Sequence, residues 1–194
     1  MCRFITAVVP PDFDFNKVKP LLDKHAMSFQ AIANTCVEAQ LGGDRLVRAT
    51  FSVCDCHSGL GTAGKGEVLP TAASDLAHVQ KLKKKGWSEH KIERWLAEKN
   101  SSLERHQKDK RTKYDTELKA WRQFIEAMLA SGAVKRMGLM LHTYHGLLEE
   151  EPISIKAREE LALSESFEET LLAMDEDVIY MIWPLAAKRS KLLL

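Results

Sequence analysis

The sequence predicts an α+β protein: a mixed or antiparallel sheet of four to five strands packed by helices, with an inserted helical hairpin at 74–132 and a single domain over 1–194. Three observations carry this. An apolar run at residues 3–9 stops at Pro10-Pro11, as expected of a central strand covered on both faces. Further strand-like runs lie on either side of a long helical stretch, 74–132. Within that stretch Leu118, Trp121, Ile125 and Met128 keep the spacing of a helix that packs along one face.

Taken in order, the strand at 3–9 leads to a helix over about 15–33, capped by Asp14, in which Phe15, Val18, Leu21, Leu22, Phe29 and Ile32 keep near-helical spacing. Pro20 belongs near its first turn or marks its true start. Leu41-Gly-Gly-Asp44 is a turn, and alternation over 45–53 predicts a strand. A long glycine-rich loop, 57–72, follows. Ser74 and Ser88 are the expected caps of two successive helices, and the second one is almost entirely polar over 101–113. Residues 137–145 form the next strand, with Ile153-Ser-Ile155 as its expected antiparallel partner. Residues 157–163 read equally as strand or helix. Ser166-Phe-Glu-Glu169 is a capping box opening a short helix, and Val178–Trp183 is the last strand, closed by Pro184.

A net charge of +1 gives no global attraction to nucleic acid or membrane. The local distribution is less even. Residues 73–132 carry 14 Lys/Arg against 9 Asp/Glu, whereas 147–177 carry 2 against 11. This fits either complementary surfaces, within the molecule or toward a protein partner or second copy, or ordinary solvated helix faces. The basic run at Lys81–Lys85, with Arg105, Lys108, Lys110, Arg111 and Lys113, is interleaved with seven acidic residues, which argues against nucleic acid. The amino-terminal apolar run is too short for a leader, and no segment approaches the roughly 20 apolar residues of a membrane span. The expected location is therefore cytoplasmic, where Cys2, Cys36, Cys54 and Cys56 are thiols or ligands rather than a disulfide framework.

The densest chemistry is Cys54-Asp-Cys56-His57, at the end of the predicted 45–53 strand. If the strand continues, Cys54 and Cys56 share one face and Asp55 points the other way. Cys2, Cys54, Cys56 and His57 then form a candidate zinc set, with Cys36, His142 or His145 as alternative ligands. As a catalytic group, Cys54 or Cys56 is a nucleophile with His57, His142 or His145 as its base. The third reading is plain packing of small apolar side chains. His142 and His145 point to opposite faces of their strand, so one is expected to be buried and hydrogen-bonded and the other exposed. Gly59–Lys65 matches the start of a phosphate-binding loop. Gly66 lacks the metal-binding hydroxyl and Pro70 opposes the required helix, so that reading falls.

Met1-Cys-Arg-Phe-Ile-Thr-Ala7, Cys54-Asp-Cys56 with its following glycines, and Gly86-Trp-Ser-Glu-His-Lys-Ile-Glu-Arg-Trp95 together resemble a group of uncharacterised bacterial proteins, over the first half of the chain. The resemblance implies that Cys2, Cys54 and Cys56 belong to one constellation. It implies no activity, substrate or cofactor. Two functional readings stand at this point: a non-enzymatic bacterial adaptor or immunity-like protein that binds through the charged hairpin, and a metal- or thiol-dependent enzyme centred on Cys54, Cys56 and His57.

Overall fold

The computed structural model describes residues 1–63 and 72–184, with the side chains of all but 72–74. Two compact units result: Met1–Ala63 with Asp115–Leu194, and Gly64–Tyr114. The first unit is built on a six-stranded mixed sheet, and the fold is α+β.

Strand β1, Cys2–Val9, is central, and Ile5–Val9 are buried on both faces, as its unbroken apolar run requires. Helix α1, Phe15–Lys24, is capped by Asp14, whose carboxylate accepts from the Asn16 amide at 2.9 Å. The expected helix to residue 33 ends early because Ala26 adopts a left-handed φ of 51°. The chain then forms a strand, β2, Ser28–Ala31, and a second helix, α2, Thr35–Leu41. Phe29 and Ile32, at helical spacing in sequence, belong instead to extended backbone. Asn34 caps α2 by accepting from Val37 N at 3.0 Å, and its buried amide donates to the Leu148 and Glu151 carbonyls, both at 2.9 Å. Gly42 ends α2 at φ 63°.

Strand β3, Arg45–Thr50, stops three residues short of the expected end. In the second unit lie helix α3, Ala72–Lys84, and the first part of helix α4, Glu89–Ala130. Ser88 caps α4 through the Lys91 amide at 3.4 Å, whereas the expected cap at Ser74 falls outside the described side chains. The last part of α4 returns to the first unit and buries Leu118, Trp121, Phe124, Ile125 and Met128, as the stripe predicts. Strand β4, Met137–Tyr144, follows. Ile153-Ser-Ile155 does not pair as a strand. The fifth strand is β5, Ala157–Leu161, running parallel to strand β6, Val178–Ile182. Four of the five β5 residues are exposed at the sheet edge, so it has no apolar alternation to announce it. Helix α5, Phe167–Leu172, lies between them, but its capping box does not form. Ser166 gives no side-chain cap, and its hydroxyl meets that of Ser164 at 3.0 Å.

The sheet order is β2-β3-β1-β4-β6-β5. On one face α1, α4 and α5 pack against Ile5, Ala7, Val9, Val47, Leu139 and Leu141. On the other, α2 with Ile32 and Ile153 covers Val8, Leu46 and Met140. Gly138 lets β4 approach its neighbours, since a Cβ there would stand 2.8 Å from both Ile179 and Met181. Among the described residues, no helix is long and apolar enough to cross a membrane.

Candidate functional site

The site begins with a deficit in the sheet. β3 pairs with β1 only from Thr6 to Val9, whereas β1 begins at Cys2. The Arg3 and Ile5 backbone groups facing that side must find other partners. After Thr50 the chain bends, with the Ser52 amide donating to Thr50 Oγ1 at 3.0 Å, and returns to β1 through Cys54-Asp55-Cys56. Asp55 N donates to the Arg3 carbonyl at 3.1 Å, and Ile5 N donates to Asp55 Oδ2 at 2.9 Å. The Arg3 amide donates to Cys56 Sγ at 3.4 Å. A backbone amide and two side-chain acceptors of the Cys-Asp-Cys segment thus replace the ladder that β3 does not provide.

The expected strand does not run on to residue 53, and the segment after Thr50 bends back onto β1 instead. Asp55 is the buried member, only 5% exposed, and Thr50 Oγ1 donates to its Oδ1 at 2.6 Å. Burial pushes the Asp55 carboxyl above its usual range. The bonds from Thr50 and Ile5 and the charge of Arg48 oppose that shift, and Glu117 adds to it. Arg3 completes the frame by donating from its guanidinium to the Ser58 carbonyl at 2.7 Å.

In the described part of the glycine-rich loop, amides at 59, 61 and 63 are engaged within the protein. Gly59 N donates to Glu117 Oε2 at 2.9 Å, and Ser58 Oγ donates to the other carboxylate oxygen at 2.5 Å. Gly61 N and Ala63 N donate to the Leu171 and Leu172 carbonyls, at 2.9 and 2.7 Å. The Lys65-Gly66 part of the phosphate-loop pattern lies outside the described residues.

Cys2 and Cys54 lie close enough to Cys56 to act on its thiol. The exposed Cys56 thiol is held below its ordinary acidity range, first by the Arg3 amide, which stabilises the thiolate against the opposing effect of burial. The neighbouring Cys54 and Cys2 thiols and the charge of Arg3 lower its pKa further. His57 is exposed, and the groups acting on Cys56 are Arg3, Cys54 and Cys2 rather than this histidine. Cys36 lies elsewhere, with its thiol donating to the Ile153 carbonyl at 3.5 Å. Among the described residues, no group of three or more His, Cys, Asp or Glu is placed to hold a metal ion, the zinc set of Cys2, Cys54, Cys56 and His57 included.

The histidine pair resolves clearly. His142 is the half-buried, hydrogen-bonded one, with Asp177 Oδ1 at 2.5 Å from Nδ1 and Glu151 Oε1 at 3.5 Å from Nε2, and His145 is exposed. Register places His142 opposite Phe4 and Tyr144 opposite Cys2, so all four side chains share one face of the sheet. Both ring nitrogens of His142 nevertheless face carboxylates. Burial alone would raise the Asp177 carboxyl. Bonds from Lys156, at 2.9 Å, and from His142 outweigh burial and hold it below the usual range. Glu151 is lowered first by the Gly146 amide, then by the His145 amide and His142.

The sequence reading missed Arg3, Arg48 and Glu117 as members of the site. Arg3 and Glu117 act through contacts 55 and 59 residues away in sequence, which no local pattern announces. Asp55 was visible between the cysteines, but its inward direction depends on where β3 stops. No family model matches the chain, and neither a curated protein nor a solved structure matches it.

Proposed function

We propose that the chain is a thiol-dependent enzyme that exchanges two electrons with disulfides. Cys56 is its attacking sulfur, and Cys54 or Cys2 is the resolving one. The observation that carries the reading is the Arg3 amide on the exposed Cys56 sulfur at 3.4 Å, with Cys54 and Cys2 near enough to lower the pKa of that thiol further. An exposed thiol with its pKa lowered toward the thiolate, beside a second thiol, is what such exchange requires. The Cys56 thiolate attacks one sulfur of a substrate disulfide, forming a mixed disulfide and releasing the first substrate thiolate. A neighbouring thiol then loses its proton and attacks the Cys56 sulfur. The second substrate thiolate leaves, and the protein retains an internal disulfide. The substrate disulfide is reduced and the protein dithiol is oxidised, two electrons each.

Brief alkylation at neutral pH followed by peptide mapping tests this. Cys56 is expected to be modified first, and a small disulfide is expected to convert the protein to an internal Cys56 disulfide that Cys56→Ser cannot form. Slow Cys56 labelling with no internal disulfide overturns the reading. Elemental analysis of the same preparation bears on the metal version: stoichiometric zinc protecting three thiols would replace exchange by coordination.

A second reading, a non-enzymatic protein that holds a protein partner through a helical hairpin, is supported within the second unit. Asp75 pairs with Lys99, His78 stacks on Trp95 at 4.9 Å, and Lys83 meets Glu89 at 3.3 Å, an antiparallel pattern between α3 and the start of α4. From 104 to 109 every α4 side chain is exposed, and four of those six residues are Glu, Arg, Lys or Asp. Charge reversal at Lys108, Lys110 and Arg111 is expected to abolish partner recovery in a pull-down while leaving the melting temperature unchanged. Undiminished recovery sinks this reading.

A further inference from the structure

The face of the sheet that carries Cys2 and Phe4 has a further feature beside the thiols. Cross-strand register sets Ser28 opposite Thr50 and Gln30 opposite Arg48, so these four side chains stand together on one face. They line a cleft of about 450 Å³ with Phe51 and Val53, within the usual range of small-molecule sites. Arg48 is the one charged residue of its lining. The guanidinium lies 4.4 Å from the centre of the Phe4 ring and donates from Nη2 to the Val53 carbonyl. Its Nε is buried and has no hydrogen-bond partner, and a buried donor on a guanidinium calls for an acceptor. Asp55, a carboxylate on which the Arg48 charge acts, is already engaged by Ile5 N and Thr50 Oγ1.

Two chain paths lead from this guanidinium to the thiols. Phe4, beneath Arg48, is two residues from Cys2 on the same strand face. Val53, on the cleft wall, directly precedes Cys54 and is 88% exposed, an apolar surface one residue from the thiols in sequence. We propose that the cleft takes the carboxylate of a small organic disulfide at Arg48, rests its carbon skeleton on Phe51 and Val53, and presents its sulfurs to Cys56. The substrate class is therefore a low-molecular-weight, carboxylate-bearing disulfide rather than a protein disulfide. This rests on the reading of Cys56 as the attacking thiol.

The test uses the full chain with Cys36→Ser, so that only the cluster reports. Second-order rates are measured with dithiobis(nitrobenzoate), which carries two carboxylates, and with uncharged dithiodipyridine, each divided by the rate of free cysteine. The normalised preference for the dianion is expected to be about tenfold, the effect of one charge-assisted contact. Arg48→Gln should remove it and Arg48→Lys should keep part of it. If Arg48→Gln does not fold, the unsubstituted Arg48 protein still decides: added salt should erase the preference without slowing the uncharged reagent. A normalised preference near one overturns the cleft assignment while Cys56 stays fast. Slow reaction with both reagents overturns the thiol reading itself.

Discussion

The Arg3 amide donates to the Cys56 sulfur at the point where β3 has ended and β1 has not. One hydrogen bond therefore does two things. It satisfies a backbone donor that the sheet leaves open, and it holds a thiol toward its ionised form. Acidity of Cys56 is thus tied to the seating of its segment on β1, and disturbing that seating should change reactivity before it unfolds the protein.

Alkylation of Cys56 followed against pH should show a midpoint below that of free cysteine in the same buffer, because the folded protein favours the thiolate. Cys54→Ser and Cys2→Ser should each move it upward if the full donating strength of the thiol is needed, and Cys56→Ser should abolish the acidic limb. A Cys56 midpoint equal to that of free cysteine contradicts the arrangement.

Asp55→Ala leaves the buried Ile5 N without its partner and the Thr50 hydroxyl with Ser52 alone, and should cost about 1–3 kcal/mol in urea unfolding. The pH dependence has a definite sign. Since burial raises the folded carboxyl, the associated stability is fully present below the unfolded value of about 3.9 and is lost as pH rises through the higher folded value. Asp55→Asn should remove that part of the profile. A profile unchanged by the substitution argues against a buried, titrating Asp55.

Asp177 has the opposite sign. Its carboxyl is depressed by Lys156 and His142, so its contribution is present above a pH of about 3.9 and disappears as pH falls through the lower folded value. Asp177→Asn should flatten the acid limb of stability and leave the neutral Cys56 rate unchanged. A slower Cys56 would show that the His142 pair reaches the thiols.

Gly61→Ala should destabilise by about 2–4 kcal/mol, combining a left-handed backbone with overpacking. Gly61 sits at φ 63°, and an added Cβ would meet the Leu141 side chain and lie 2.7 Å from the Met174 carbonyl. Thermal melts check this, and a change within experimental error would mean the loop can withdraw from α5.

Much of the fold was legible because it depends on local pattern. The unbroken apolar run of β1 required cover on both faces, and the stripe from Leu118 to Met128 required a packed helix. β2 and β5 were not legible. Phe29 and Ile32 keep helical spacing by coincidence in an extended segment, and β5 is an exposed edge held by its pairing with β6. The capping box at Ser166 was present in sequence and absent in structure, since its hydroxyl meets Ser164 instead.

By itself the sequence determined that Cys54, Asp55 and Cys56 would be the densest chemistry of the chain and that β1 would be central. Only the tertiary structure decided which of the three turns inward and which thiol is activated. The reason is the length of β3. Where a strand stops is set by its neighbours, and the backbone groups left open on Arg3 and Ile5 draw Asp55 into the protein and leave Cys56 at the surface with its acidity shifted toward the thiolate.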